Sequence, residues 1–176
     1  MTNYEQYLFD LNGYVIVQGA LTAGQVSAMN EAIDHNRDKI HIRTREQTLD
    51  GSLEDQGGRP ADGLRGAHGR GDFGGFFFWE EPWGKLFREL IAAPFAMHAM
   101  LATIGPRFRL AGTAGITMTK GSEGFIFHGG GTPEQEHMNE CFYHRFKNGR
   151  MRNGLMSVSY ALTDASPEDG GFACIP

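Results

Sequence analysis

Met156-Ser157-Val158-Ser159-Tyr160-Ala161-Leu162-Thr163-Asp164-Ala165-Ser166-Pro167-Glu168-Asp169-Gly170-Gly171-Phe172-Ala173-Cys174-Ile175-Pro176 decides how this chain is read. Its first seven residues alternate: Met156, Val158, Tyr160 and Leu162 share one side, and Ser157, Ser159 and Ala161 share the other. Period two is the mark of a half-buried strand. Pro167 to Gly171 then form a tight acidic, Gly-rich turn, and a second short strand follows it.

Working backwards, Asn148-Gly149 is a strong two-residue hairpin signal. It is flanked by Cys141-Phe142-Tyr143-His144-Arg145-Phe146 and Arg150-Met151-Arg152. Leu110 to Thr119 and Gly124 to His128 also read as strands. The first half of the chain is different. Gly13 to Val17 is a short β-branched run, read as a strand. A helix then starts at Thr22, with Gln25 three residues on as a capping box and Leu21 and Val26 placed as a hydrophobic staple. Val26, Met29 and Ile33 mark its apolar face. A second helical stretch begins near Pro82, with Leu86, Leu90 and Ile91 on one face. Pro94 interrupts it, and Phe95, Met97, Leu101 and Ile104 carry it on to Gly105-Pro106. Helices first and strands afterwards indicate α+β, with an antiparallel sheet packed on the N-terminal helices.

The chain has 176 residues, which suits one domain. Thirteen Phe supply apolar surface for a core. A net charge of -5, with no dense basic stripe, argues against a nucleic-acid partner. No apolar run approaches the roughly 18 residues of a membrane span. The start, Met1 to Glu5, lacks the basic and apolar parts of a secretory signal. Two cysteines do not make a disulfide scaffold. A cytoplasmic protein acting on a small molecule is the expectation.

Residues 37–75 show no period and read as an irregular loop insert. They contain Arg70-Gly71-Asp72, an integrin-type tripeptide, taken here as a coincidence of a Gly-rich loop. Among seven histidines, His128 is the best-placed candidate ligand. It ends the apolar run Gly124-Phe125-Ile126-Phe127 and enters Gly129-Gly130-Gly131, where backbone can approach a ligand closely. A structural histidine would look the same. His137, Cys141 and His144 are a competing metal set, sharing one side on a helix but not on the strand that Phe142-Tyr143 favours.

Several segments, in order and spacing, resemble the phytanoyl-CoA dioxygenase family of non-haem iron oxygenases. Leu8-Phe9-Asp10-Leu11-Asn12-Gly13-Tyr14-Val15-Ile16-Val17, followed by Leu21-Thr22 and a helix, is similar to the family's N-terminal segment. Ser157 to Asp164 resembles the strand after the first metal histidine. Pro167-Glu168-Asp169-Gly170-Gly171 and Ile175-Pro176 resemble the turn and strand leading to a Pro-Gly-Ser-His sequence. The resemblance implies helices on a double-stranded β-helix (a cupin-like jelly roll), with Fe(II) and 2-oxoglutarate as cofactor and co-substrate. It implies hydroxylation of a small organic or lipid-like substrate. It makes His128 an iron ligand, places Tyr160 where the family often has an aromatic beside 2-oxoglutarate, and puts Met118 on a strand lining the same pocket. Core packing alone would also account for Tyr160 and Met118.

The sequence departs from the family at one central position. Such sites bind iron through two histidines and a carboxylate. Where the family has Asp two residues after the first histidine, this chain has Gly130. A small residue there leaves room for halide, as in related halogenases. Alternatively Glu134 or Glu136 supplies the carboxylate, or metal binding is altered or lost, leaving a non-catalytic binding domain. The resemblance also implies a second histidine and an arginine beyond Pro176. On that reading the jelly roll is incomplete at its C-terminus, the 176 residues are the N-terminal part of one, and they are expected to be inactive by themselves.

Overall fold

A computed structural model of the chain describes residues 1–43, 66–124, 144–166 and 169–174. Four helices and five strands are present among them: α1 (Asn3–Asn12), α2 (Ala23–His35), β1 (His41–Ile42), β2 (Gly71–Phe73), α3 (Trp83–Ile91), α4 (Pro94–Thr103), β3 (Gly115–Thr117), β4 (His144–Lys147) and β5 (Arg150–Asn153). The α+β class is as expected, with helices and antiparallel sheet together. The sheets are small: β1-β2-β3 in that order, and the β4-β5 hairpin.

The helix starts follow from local chemistry. At α2, the Thr22 hydroxyl accepts the Gln25 N–H at 3.2 Å while the Gln25 carboxamide accepts the Thr22 N–H at 2.9 Å. Two orphan donors of the first turn are thereby satisfied reciprocally. Helix α1 uses the same device with Thr2 and Glu5, and closes at Gly13, which takes the left-handed conformation. Pro94 stands in the first turn of α4, where its missing N–H costs nothing. The hairpin turn is also local. Asn148 and Gly149 both have positive φ, 55° and 72°. That pair of angles matches the right-handed twist of the flanking strands, which pair Lys147 with Arg150 and His144 with Asn153.

The core lies between α2, α3 and the inner face of the three-stranded sheet. It gathers Met29 and Ala32 of α2, Phe73 of β2, Phe76 and Trp79 of the following turn, and Phe87 of α3. The rings meet edge-to-face or offset, with centroids 5.0 Å apart for Phe76–Phe87 and 5.5 Å for Trp79–Phe87. The buried face of α3 is centred on Gly84 and Phe87, with Leu86 and Leu90 at its margin. Ile91, expected on that face, is exposed. In α4 the buried positions are the small residues Ala96 and Ala99, not the larger ones expected.

Three expected strands differ in the structure. Residues 14–17 join no ladder among the described residues, and Ile16 is exposed. Of Leu110 to Thr119 only Gly115–Thr117 pairs. Its partner β2 is three residues long and turns away at Gly74-Gly75, so the ladder runs out of register partners after Phe73↔Gly115. The alternating stretch 156–162 is irregular in hydrogen bonding and forms no strand among the described residues. It runs along the helices instead. The Thr103 hydroxyl contacts the Met156 sulfur at 3.1 Å, the Tyr160 hydroxyl lies 3.5 Å from the Leu90 carbonyl, and the Asn30 amide donates to the Leu162 carbonyl at 2.7 Å. The stretch read as irregular, 37–75, supplies β1 and β2 at its two ends, and β2 is the sheet's central strand.

Candidate functional site

Strand alternation sorts the three-stranded sheet into two faces. Pairing sets Ile42 beside Gly71 and Gly71 beside Thr117, and sets Phe73 beside Gly115. These residues share the side on which Phe73 enters the core, with Ile42 at its exposed margin. On the outer side His41 pairs with Asp72, and Asp72 with Ile116. Arg43 and Arg70, two residues along, follow on that same side. Asp72 is held from both directions: one carboxylate oxygen accepts the Arg43 Nε–H, and the other accepts the Arg70 Nε–H at 3.0 Å. All three side chains are largely buried. The tripeptide Arg70-Gly71-Asp72 is thus a central strand with Gly71 buried, not a presented loop.

Met118 follows β3, two residues beyond Ile116, and is 41% exposed. Tyr160 is half-buried on α3. Burial pushes its phenol pKa above the ordinary tyrosine value. His128, Gly130, Glu134, Glu136, His137 and Cys141 lie outside the described residues, as does the side chain of His144. The structure therefore brings none of the expected site residues into a common contact among those it describes.

Two of the described histidines have other partners. His35 stacks on Trp83 with centroids 4.9 Å apart. The two ring nitrogens of His68 face backbone carbonyls, Gly69 at 3.1 Å and Lys120 at 3.3 Å. Among the described residues no three His, Cys, Asp or Glu side chains come together to hold a metal ion. The described residues by themselves do not amount to an iron site.

Two features went unread in the sequence. Glu123 is 1% exposed, its N–H bonded to the His68 carbonyl at 2.8 Å. A buried carboxylate in a Gly-Ser-Glu-Gly turn carries no local signal. A cavity of about 500 Å³ lies between α1, the end of α4 and the hairpin. Gln6, Asp10, Thr103, Phe146, Met151 and Asn153 line it. The four-residue spacing of Gln6 and Asp10 on one helix face was its only trace in the sequence.

The architecture is α+β, helices against a small antiparallel sheet. The family model for phytanoyl-CoA dioxygenase matches residues 9–176. The chain belongs to the phytanoyl-CoA dioxygenase family, whose members are generally oxygenases that use Fe(II) and 2-oxoglutarate. A search of curated proteins found no match, and a search of solved structures found none. No helix among the described residues is long and apolar enough to cross a membrane.

Proposed function

We propose that this protein is an Fe(II)- and 2-oxoglutarate-dependent dioxygenase that hydroxylates a small organic or lipid-like substrate in the cytoplasm. The family match over residues 9–176 carries the reading, since it spans His128, Met118 and Tyr160 together. Iron, when bound, supplies the oxidising chemistry and 2-oxoglutarate the electrons for O₂ cleavage. The protein's part is to bind, orient and keep water out. His128 offers the metal a neutral imidazole nitrogen. Tyr160 and Met118 wall the 2-oxoglutarate pocket. The reading takes β1, β2 and β3 as part of a cupin-like jelly roll.

The Arg-, Asp- and Gly-rich segment between β1 and β2 contacts the substrate or covers the site in this reading, as loops on a rigid scaffold commonly do. Shortening it within residues 46–64 leaves both strands intact and raises the substrate KM. An unchanged KM counts against that role.

The test of the main reading is succinate release by the full-length gene product, with and without Fe(II). Iron-dependent release that disappears in His128→Ala supports it. No iron uptake and no 2-oxoglutarate turnover would favour a non-catalytic jelly-roll binding domain. Gly130, where a ligating carboxylate is expected, is the specific observation behind that second reading. It equally admits a halogenase-like variant, which chloride-dependent product formation would reveal.

A further inference from the structure

The cleft between α1, the end of α4 and the hairpin has two kinds of polar residue in its wall. Its volume of about 500 Å³ is that of a small-molecule site. Thr103 and Asn153 spend polar groups on the protein itself. The Thr103 hydroxyl donates to the Ala99 carbonyl at 2.7 Å, and the Asn153 amide donates to the Thr103 carbonyl at 3.3 Å. Gln6 and Asp10, one turn apart on α1, do not. Neither side chain has a hydrogen-bond or ion-pair partner among the described residues.

Asp10 is placed against the stability of its own helix. It is half-buried and stands in the last turn of α1, which holds no basic residue. The free carbonyls of a helix C-terminus already carry partial negative charge, so a carboxylate there is unfavourable. Residues 1–36 contain no Lys or Arg that could offset it. Among the described residues no Lys or Arg lines the cleft, and the exposed Arg152 is not part of its wall. The cleft therefore holds an uncompensated, partly desolvated negative charge. Its rim is apolar and uncovered: Phe146 is 71% exposed and Met151 39% exposed.

We infer that this cleft binds a small organic ammonium ion, an amine carrying an aromatic or other apolar body. The ammonium group pairs with the Asp10 carboxylate and offsets the negative end of α1 as well. Gln6 offers a carboxamide oxygen to a second ammonium N–H. The exposed Phe146 ring gives the cation a π face, and the Met151 sulfur suits contact with an aromatic body. A divalent metal ion does not fit. It takes about six to eight oxygen ligands, usually with several carboxylates, and Asp10 is the single carboxylate lining the cleft. An anion is repelled by that same group. Met118 and Tyr160 do not line the cleft, so this binding is independent of the oxygenase reading.

The experiment is calorimetric titration of the full chain with 2-phenylethylamine at low ionic strength. Saturable 1:1 binding is expected, about tenfold or more tighter than for the neutral 2-phenylethanol and weakening with added salt. Asp10→Asn lowers the affinity about tenfold or more. Phe146→Ala, which removes an exposed ring, lowers it about threefold. The amine raises the melting temperature of the parent and not of Asp10→Asn. Without ligand, Asp10→Asn melts no lower than the parent, because it takes a negative charge away from the negative end of α1. Absence of saturable amine binding, parent-like affinity in Asp10→Asn, or equal affinity for 2-phenylethanol overturns the inference. Tighter binding of calcium than of the amine does so too. So does an Asp10→Asn chain that melts well below the parent, since the carboxylate then serves the fold and not a ligand.

Discussion

Gly115 is the position where the packing of this fold is easiest to test. A β-carbon built there falls closer than 3.0 Å to three carbons of the Phe73 ring. Contacting carbons prefer about 3.5–4.0 Å, so either the ring or the strand must move by roughly an ångström. The ring has nowhere to go. Phe73 is 7% exposed, with Phe76 and Trp79 each 5.8 Å away between centroids. Overpacking of this kind costs about 1–3 kcal/mol. A loss of about 2 kcal/mol lowers the melting temperature of a chain this size by about 4–8 °C. The assay is thermal and urea unfolding of Gly115→Ala, followed by circular dichroism, alone and combined with Phe73→Leu. With the ring replaced by a shorter side chain, the clash disappears. The added methyl should then be neutral, or stabilising by up to about 1 kcal/mol through the unfolded state. The coupling between the two sites is thus about 2 kcal/mol. If Gly115→Ala melts with the parent, or loses as much stability in the Phe73→Leu background as in the parent, the packing argument fails.

Thr22→Ala removes the hydroxyl that caps α2 and should cost about 1 kcal/mol, read as a fall in melting temperature of about 2–4 °C. Asp72→Asn weakens two charge-assisted bonds, one from Arg43 at the end of β1 to β2 and one from Arg70 within the β2 segment. Those side chains are largely but not fully buried, so a loss of about 2 kcal/mol is expected, between the exposed and buried limits; an unchanged urea midpoint would count against a structural role for the pair. Glu5 is held below the usual glutamate pKa by the Thr2 backbone N–H and hydroxyl. Its contribution is present above the unfolded pKa and is lost as pH falls through the folded one. Thr2→Ala should raise the Glu5 pKa in an NMR titration. Burial raises the Tyr160 pKa, so that group's contribution is complete below the unfolded pKa near 10.0 and fades as pH rises through the folded value. Phenolate absorbance should show a late-titrating component that Tyr160→Phe removes.

Local chemistry was legible and distant pairing was not. The Thr22–Gln25 box and the Asn148-Gly149 turn are each fixed by residues within three positions of one another, and both appear as read. Helix α1 carried the same signal in Thr2–Glu5, with Gly13 at its end, and went unread. The three-stranded sheet could not be found this way. Its strands are two or three residues long, β2 contains glycine, and its partners stand about 30 and 45 positions away in the chain. Local propensity there says loop, and tertiary context overrides it. The stretch 156–162 teaches the converse. Met156, Tyr160 and Leu162 are each half-buried, but each meets a different helix, only Leu162 packs on the core cluster, and Val158 of the same stripe is exposed. Alternation reports which side of an extended segment is apolar. It does not report whether the backbone joins a ladder. For the candidate site, the roles of Met118 and Tyr160 rest on the family resemblance, since local pattern makes both plain core residues.

The two faces of the small sheet constrain where a ligand can meet it. The inner face is filled at its centre: Gly115 admits the Phe73 ring only by lacking a side chain, and Gly71 is overlaid by Thr117 and Ile40. Rings from β2, the turn after it and α3 fill the remaining space. A ligand on this sheet must therefore approach the outer face, where Arg43, Arg70 and Asp72 stand beside the exposed Ile116 and Met118. Asp72 ties the outer face of β1 to β2, where the ladder itself has only two residue pairs. Such a short ladder needs side-chain bonds to keep its register. The Arg43–Asp72 contact on the outer face thus helps hold β1 in register on the central strand β2.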